Sequence, residues 1–319
     1  MASVGLLGVG GTISVAPGER GAQPARGAEE LLPPTGVPAG IRVHPRDVLR
    51  LPSHTVTVDD LWLLVEEVRA EIAGGRDGVV ITHGTDTLEE TAYAMSLLVD
   101  TTVPVVLTGA MRAPHLAGPD GPANVAAALM TAACPELGGY GPVVVFSDEI
   151  HVARLVTKMH STRVDAFASP AAGPVGFVAE ERVELLLGPP PRRDLLPAAA
   201  PPSRRVGLVW ATTGIDGEQV AAYGAGLDGL VVGALGAGHV SPALGEALVR
   251  FAESGRPVVV ASRCPDGALL SHTYGGAGSE IELRRAGLLF ANVLSPPKAR
   301  LRLLFGLSAG LPADELFGP

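Results

Sequence analysis

Cysteine, lysine and long apolar stretches are scarce in this chain of 319 residues. The two cysteines, Cys134 and Cys264, have no partners for a disulfide framework and no metal-binding spacing, so we expect small buried residues. No apolar run reaches the roughly 20 residues that a membrane helix needs. The N-terminus has no basic segment followed by an apolar one, so we expect no signal peptide and a cytoplasmic protein.

Positive charge is also limited, and the formal net charge is −9. An acidic protein is not attracted to nucleic acid or anionic membranes, so we expect a small-molecule substrate instead of those partners. The eight histidines are scattered without metal-ligand pairing, and we expect neither metal nor cofactor. Only Lys158 and Lys298 are lysines. Arginine cannot give up its proton, so a rare lysine is a candidate for a side-chain base.

Short apolar segments alternate with helical ones through most of the chain. After Thr57, apolar residues at helical spacing predict a helix that Gly74-Gly75 ends. The alternation is typical of an α/β fold, here a larger N-terminal domain with a mainly parallel, doubly wound sheet. Continuous β-branched runs predict its buried strands at residues 4–9, 78–82, 104–108 and 142–147.

The composition changes in a proline-rich segment between Gly188 and Arg205. Its lack of periodicity predicts a solvated linker over residues 189–204, with a proline-rich docking motif as the alternative. The linker would join an N-terminal catalytic α/β domain, residues 1–188, to a smaller C-terminal α/β domain, residues 205–319. The second domain is predicted from strands at 206–211, 229–234 and 257–262 and a helix at 242–253.

The segment His83-Gly84-Thr85-Asp86-Thr87 lies between a predicted strand and a predicted helix. Thr87 and Glu90 have the spacing of a capping box, which would start that helix. Ligands of open α/β sheets bind where strands end and helices begin, so Thr85 and Asp86 are candidates for contact with a polar small molecule. An ordinary structural cap is the alternative.

A second hydroxyl follows another strand, in Gly10-Gly11-Thr12-Ile13. Glycines let the backbone approach a ligand closely, so Thr12 would lie at a strand end much as Thr85 does. The Gly- and Pro-rich segment 14–40 follows directly. Long irregular segments of this kind are often lids, and we expect a lid here, with a permissive insertion as the alternative.

The two strand-end hydroxyls and the rare lysine suggest a type of reaction. Amide hydrolysis through a threonine needs a nucleophilic hydroxyl, a group that takes its proton, and donors for the developing oxyanion. Thr12 can be the nucleophile, while Thr85, Asp86 and Lys158 could form a proton relay. A structural ion pair between Lys158 and Asp86 is the alternative.

The chain resembles the bacterial-type L-asparaginase/glutaminase family in Gly10-Gly11-Thr12-Ile13, in Ile81-Thr82-His83-Gly84-Thr85-Asp86-Thr87 and in further segments, which run in the family's order over nearly its whole length. The further segments are Glu89-Glu90-Thr91-Ala92, Thr108-Gly109-Ala110-Met111-Arg112, Asp120-Gly121-Pro122-Ala123-Asn124, Val156-Thr157-Lys158, Ala261-Ser262-Arg263 and Pro297-Lys298-Ala299-Arg300-Leu301. The resemblance implies a metal-free hydrolase that converts L-asparagine to L-aspartate and ammonia. It also implies a homo-oligomer, a homotetramer built as a dimer of dimers.

Residue roles follow from the resemblance. It implies Thr12 as the nucleophile of one triad and Thr85-Asp86-Lys158 as the other. Ser53-His54 matches the family's Ser-Gln pair that grips the substrate, with Asp86 at the substrate's α-ammonium and Ser53 at its α-carboxylate. The implied substrate-binding set is Gly11, Ser53, His54, Gly84, Thr85, Asp86 and Tyr274.

Three positions depart from the family pattern. Segment 14–40 lacks the tyrosine that activates the first threonine in the family. Gly236-Ala237-Gly238-His239 replaces a Gly-Asn-Gly-Asn segment. The acidic residue that a neighbouring subunit usually adds to the first triad falls near Tyr274, and we expect Tyr274 to serve as the missing tyrosine.

We therefore read the chain as an L-asparaginase with L-glutamine as a secondary substrate. A glutaminase-asparaginase and the amidase subunit of a transfer-RNA-dependent amidotransferase are alternatives among hydrolases. A non-catalytic amino-acid-binding sensor is the alternative from another class, because the lid tyrosine is missing.

Overall fold

The computed structural model describes residues 1–19, 21–192 and 194–318, which form two compact units, Met1–Leu195 and Leu196–Pro319. The α-helices of the first unit are α1 (Val58–Ala73), α2 (Leu88–Leu98) and α3 (Gly121–Ala132). Its strands are β1 (Ala2–Gly10), β2 (Val15–Ala16), β3 (Gln23–Pro24), β4 (Ile41–Leu51), β5 (Gly78–Thr82), β6 (Val105–Thr108), β7 (Val143–Phe146), β8 (Glu149–Val152), β9 (Thr157–Lys158), β10 (Phe167–Ala168), β11 (Gly176–Ala179) and β12 (Arg182–Leu185).

Eight of these strands form one sheet in the order β12-β11-β8-β7-β6-β5-β1-β4. The neighbours from β4 to β7 are parallel, which confirms the predicted fold class. The strands β8, β11 and β12 add an antiparallel edge that the sequence pattern did not predict. The strands β2 and β3, and β9 and β10, form separate short antiparallel pairs.

Local sequence explains why these elements form. All five residues of β5 are buried, as expected for a central parallel strand that helices cover on both faces. Helix α1 begins where the Thr57 hydroxyl accepts the Asp60 N–H and the Asp60 carboxylate accepts the Thr57 N–H at 2.8 Å. Gly74 ends it, as predicted.

The second unit contains a four-stranded parallel sheet whose strands follow chain order, which confirms the smaller α/β domain. Its strands are β13 (Val206–Trp210), β14 (Gly229–Ala234), β15 (Val258–Ser262) and β16 (Leu289–Phe290). Its helices are α4 (Gly217–Gly224), α5 (Pro242–Glu253), α6 (Glu280–Arg285), α7 (Pro296–Ser308) and α8 (Ala313–Phe317). Among the described residues, no helix is long and apolar enough to cross a membrane.

The segment 14–40 is more ordered than its composition predicts. The strands β2 and β3 form a hairpin, and the Ser14 carbonyl accepts the N–H groups of Ala25 and Arg26 at 2.9 Å. A 3₁₀ helix at Ala28–Leu31 follows, and Ala28 and Leu31 are buried in the core. Ala28 and Leu31 therefore tie this 3₁₀ helix to the packed domain, which leaves the hairpin before it as the candidate lid.

The expectation of buried cysteines was wrong. Cys134 is only half-buried and Cys264 is exposed, and both thiols are free. Burial and the neighbouring Glu136 carboxylate raise the pKa of Cys134 to about 11, so this thiol stays protonated.

The proline-rich segment is held to the first unit over part of its length. The Arg192 guanidinium donates to the Val99 carbonyl oxygen at 2.6 Å, and Asp194 forms an ion pair with Arg154. Where the linker begins and ends stays a prediction.

Candidate active site

Two glycine-containing loops meet at the carboxyl edge of the large sheet, after the neighbouring strands β1 and β5. An ideal Cβ on Gly11 would lie 2.1 Å from the Gly84 Cα atom, and one on Gly84 would lie 2.6 Å from Ser53 Oγ. Gly11 also has a φ of 79°, which residues with a side chain rarely adopt. Glycine at both positions lets the loops touch, which brings Thr12 and Thr85 close together.

A cavity of about 450 Å³ opens beside these loops. Its walls come from the two loops, from the β2–β3 hairpin and from the 3₁₀ helix Ser53–Thr55. Predicted site residues that line it are Gly11, Thr12, Ser53, His54, Thr85 and Asp86. This size is within the range of small-molecule sites.

Lys158 forms hydrogen bonds with two of these lining residues. Its Nζ donates to Thr85 Oγ1 at 2.9 Å and to Asp86 Oδ1 at 2.7 Å. Thr85 is buried and the Lys158 side chain is 16% exposed, whereas the Asp86 side chain is 61% exposed. An ion pair that is open to water on one side adds little stability. The arrangement therefore matters mainly for where it places the amine and the hydroxyl.

Ser53 is fixed against the loop that follows β5. Its Oγ accepts the Asp86 N–H at 3.2 Å, and its carbonyl oxygen accepts the Thr87 hydroxyl at 2.9 Å. The predicted capping box is therefore wrong, because Thr87 uses its side chain on Ser53 instead of on α2. The hydroxyl proton of Ser53 takes part in neither bond and can be donated to a ligand.

His83 supports the same loop from inside the core. Its Nδ1 lies 2.8 Å from the Gly84 carbonyl oxygen, and its Nε2 lies 3.1 Å from Thr91 Oγ1. A carbonyl oxygen only accepts, so Nδ1 carries the proton. Complete burial lowers the pKa of His83 to about 4, and the imidazole is neutral at pH 7. The bond fixes the peptide group between Gly84 and Thr85.

The sequence did not indicate a role for Glu89, although the segment Glu89-Glu90-Thr91-Ala92 contains it. Its Oε2 accepts the backbone N–H of Lys158 at 2.7 Å, across 69 positions of the chain. An acid in the first turn of a helix is common for local reasons, so its sequence position gave no sign of this long-range bond.

Tyr274 lies in the second unit, in a cluster with His239 and Glu280. Its side chain is 52% exposed, and its ring meets the His239 ring edge-on, with centroids 4.8 Å apart. Glu280, which the sequence did not indicate, is fully buried; it pairs with His239 Nε2 at 2.9 Å and accepts the N–H groups of Thr273 and Tyr274. Burial raises the pKa of Glu280, but these donors outweigh it and hold the pKa below its usual range.

Across residues 1–19, 21–192 and 194–318, no group of three His, Cys, Asp or Glu side chains is arranged to hold a metal ion.

Comparison with known proteins gives relatives that are described as asparaginases. The family model "Asparaginase, N-terminal" matches residues 3–190, and the "Glutaminase/Asparaginase C-terminal domain" model matches residues 205–316. A probable L-asparaginase from Deinococcus radiodurans is 39% identical over 98% of this chain and 94% of its own length. A probable periplasmic L-asparaginase from Haemophilus influenzae is 32% identical over 78% of this chain and 71% of its own length. The crystal structure of a probable cytoplasmic L-asparaginase from Campylobacter jejuni has a TM-score of 0.83 at 29% identity, covering 99% of this chain and 98% of that chain.

Proposed function

The chain belongs to the asparaginase family, and we propose that it hydrolyses the side-chain amide of L-asparagine to L-aspartate and ammonia. The observation that carries this proposal is the pair of bonds from Lys158 Nζ to Thr85 and Asp86, at a cavity that Thr12 also lines. A hydroxyl beside an amine and a second free hydroxyl in one cavity suit acyl transfer.

The proposed reaction has two steps. Thr12 Oγ attacks the amide carbon, the C–N bond breaks, and the hydroxyl proton leaves with the nitrogen as ammonia. A water molecule then attacks the resulting Thr12 ester; its hydroxyl stays on the carboxylate of L-aspartate and its proton returns to Thr12. Thr85 and Lys158 carry protons in both steps, because their hydrogen bond gives a path between the cavity and the amine.

Charge complementarity supports an amino-acid substrate. The exposed Asp86 carboxylate would bind the α-ammonium, and the Ser53 hydroxyl would donate to the α-carboxylate. His54 adds an exposed imidazole to the same wall, and backbone atoms of Gly11 and Gly84 allow close approach.

We infer that the working enzyme is a homotetramer, a dimer of dimers, in which Tyr274 of a neighbouring subunit reaches the Thr12 hydroxyl. The exposure of the Tyr274 ring and its fixed backbone support this role. The pair of His239 with the buried Glu280 would hold the tyrosine in place.

We also propose a cytoplasmic location. The similarity to a structure described as probably cytoplasmic supports it, whereas the Haemophilus relative is described as periplasmic. Fractionation of the native host, with the protein recovered in the cytoplasmic fraction, tests this.

The experiment for the activity is an ammonia-release assay with L-asparagine, L-glutamine and D-asparagine. We expect turnover of L-asparagine, weaker turnover of L-glutamine and none of D-asparagine. Calorimetric binding of L-asparagine without ammonia release would instead identify a sensor, and preferred turnover of L-glutamine would identify a glutaminase.

A further inference from the structure

Lys158 is carried by a structural element that cannot position it alone. In the described part of the chain, its strand β9 pairs with β10, and each strand has two residues. An isolated two-stranded pair of this size is not stable in water. Contacts with the rest of the domain must therefore fix the amine.

Strand β10 is anchored by side chains on the sheet. The Phe167 ring lies 4.8 Å from the Phe146 ring of β7, and Ser169, directly after β10, bonds with His151 of β8 at 3.0 Å. These contacts hold the strand opposite Lys158.

Strand β9 is anchored by Glu89, whose carboxylate accepts the Lys158 N–H at 2.7 Å. A charged acceptor makes this bond stronger than an ordinary backbone hydrogen bond. Glu89 is the second residue of α2, three positions after Asp86. One short stretch, residues 85–89, thus holds Lys158 at both ends, by its main-chain nitrogen and by its Nζ.

We propose that Glu89 is a positioning residue, which sets the distance from Lys158 Nζ to Thr85 by holding the Lys158 main chain. The inference rests on the proposed function, in which that distance controls proton transfer. The alternative explanation is the one that applies to any acid in the first turn of a helix, namely that Glu89 only complements the helix dipole.

Two conservative variants separate these explanations. Glu89→Gln loses the charge but keeps an oxygen at the same reach, so the Lys158 N–H still has an acceptor. Glu89→Asp keeps the charge in the first turn but is one methylene too short for the bond. Glu66→Gln is the matched surface control, because Glu66 is an exposed glutamate of α1 in an ion pair with Arg69.

We expect kcat of Glu89→Asp to fall at least tenfold and up to about 10²-fold, the scale of misplacing a catalytic group by about 1 Å. Its KM should stay near the wild-type value, because the groups that bind substrate are unchanged. Glu89→Gln and Glu66→Gln should keep most of kcat. Normal kcat in Glu89→Asp, or a loss in Glu89→Gln that Glu89→Asp does not share, would overturn the proposal in favour of the dipole explanation.

Amide hydrogen exchange tests the anchor without any assay of turnover. The Lys158 amide should exchange at least about tenfold faster in Glu89→Asp than in the wild type, since it loses a bond to a charged acceptor. Unchanged exchange in Glu89→Asp would refute the anchor itself. An inactive wild type with the expected exchange pattern would instead refute only the proposed function. Thermal unfolding of each variant checks that the comparison is made on folded protein.

Discussion

Gly11 lies so close to Gly84 that a Cβ on Gly11 would sit 2.1 Å from the Gly84 Cα atom. This contact brings the loops after β1 and β5 together, and with them the two threonines of the proposed mechanism. Glycine at both positions is needed for this close approach of the two backbones, independently of the reaction at the site.

Gly84→Ala should therefore lower kcat by about 10²-fold, because the new methyl group displaces Ser53 and with it the loop. Steady-state ammonia release measures this. Gly188→Ala is the control, since a Cβ there meets no atom within 4 Å. Wild-type kcat in Gly84→Ala would show that the contact is not needed.

His83 should make the protein less stable in acid. Its native pKa is about 4, whereas an unfolded histidine has a pKa of about 6.5 and takes up a proton first as the pH falls. The free energy of unfolding should therefore be lower at pH 4.5 than at pH 7 by about 2 kcal/mol because of this residue. Urea unfolding of the wild type and His83→Gln at both pH values isolates the contribution of His83 to this pH dependence. An equal fall in both proteins would contradict it.

Binding of L-aspartate should order the β2–β3 hairpin. Val15 and Gln23 line the cavity, and closure over a ligand would exclude water. Hydrogen exchange should slow in β2 and β3 on adding L-aspartate but stay constant at Ala28–Leu31, which is already packed in the core. Equal exchange in the hairpin with and without ligand would identify a simple insertion.

If Tyr274 of a neighbouring subunit completes the proposed site, two inactive proteins should restore activity together. Tyr274→Phe removes only the phenol oxygen and should lower kcat by about 10²-fold, the scale of general acid–base help. Mixed oligomers of Thr12→Ala and Tyr274→Phe should regain part of the activity, since some interfaces carry one intact site. No recovery in mixtures that demonstrably exchange subunits would exclude this role of Tyr274.

Much of the fold was predictable because the apolar periodicity of this chain is strong. The range predicted for β5 matches the observed strand, and α1 begins after Thr57 and ends before Gly74, as predicted. The separate pair β9–β10 was not predictable, since each of its strands has two residues and carries no periodic pattern.

The site was predictable only where a residue type is unusual for its position. Thr12, Thr85 and Lys158 stand out by their flanking glycines or by the rarity of lysine. Glu89 and Glu280 do not, because their partners are distant in sequence. Thr87 was misassigned because a local capping rule cannot foresee a bond to Ser53.

The most direct test of the account is kcat for ammonia release from L-asparagine in the wild type, Thr12→Ala, Thr85→Ala and Lys158→Met. We expect the wild type to release one ammonia per L-aspartate and the variants to remain folded. Each variant should lose at least about 10³-fold in kcat, the scale of removing a nucleophile or a positioned base. Near-normal kcat in Thr85→Ala or Lys158→Met would contradict the proposed relay, and a wild type that binds L-asparagine without releasing ammonia would contradict the asparaginase itself.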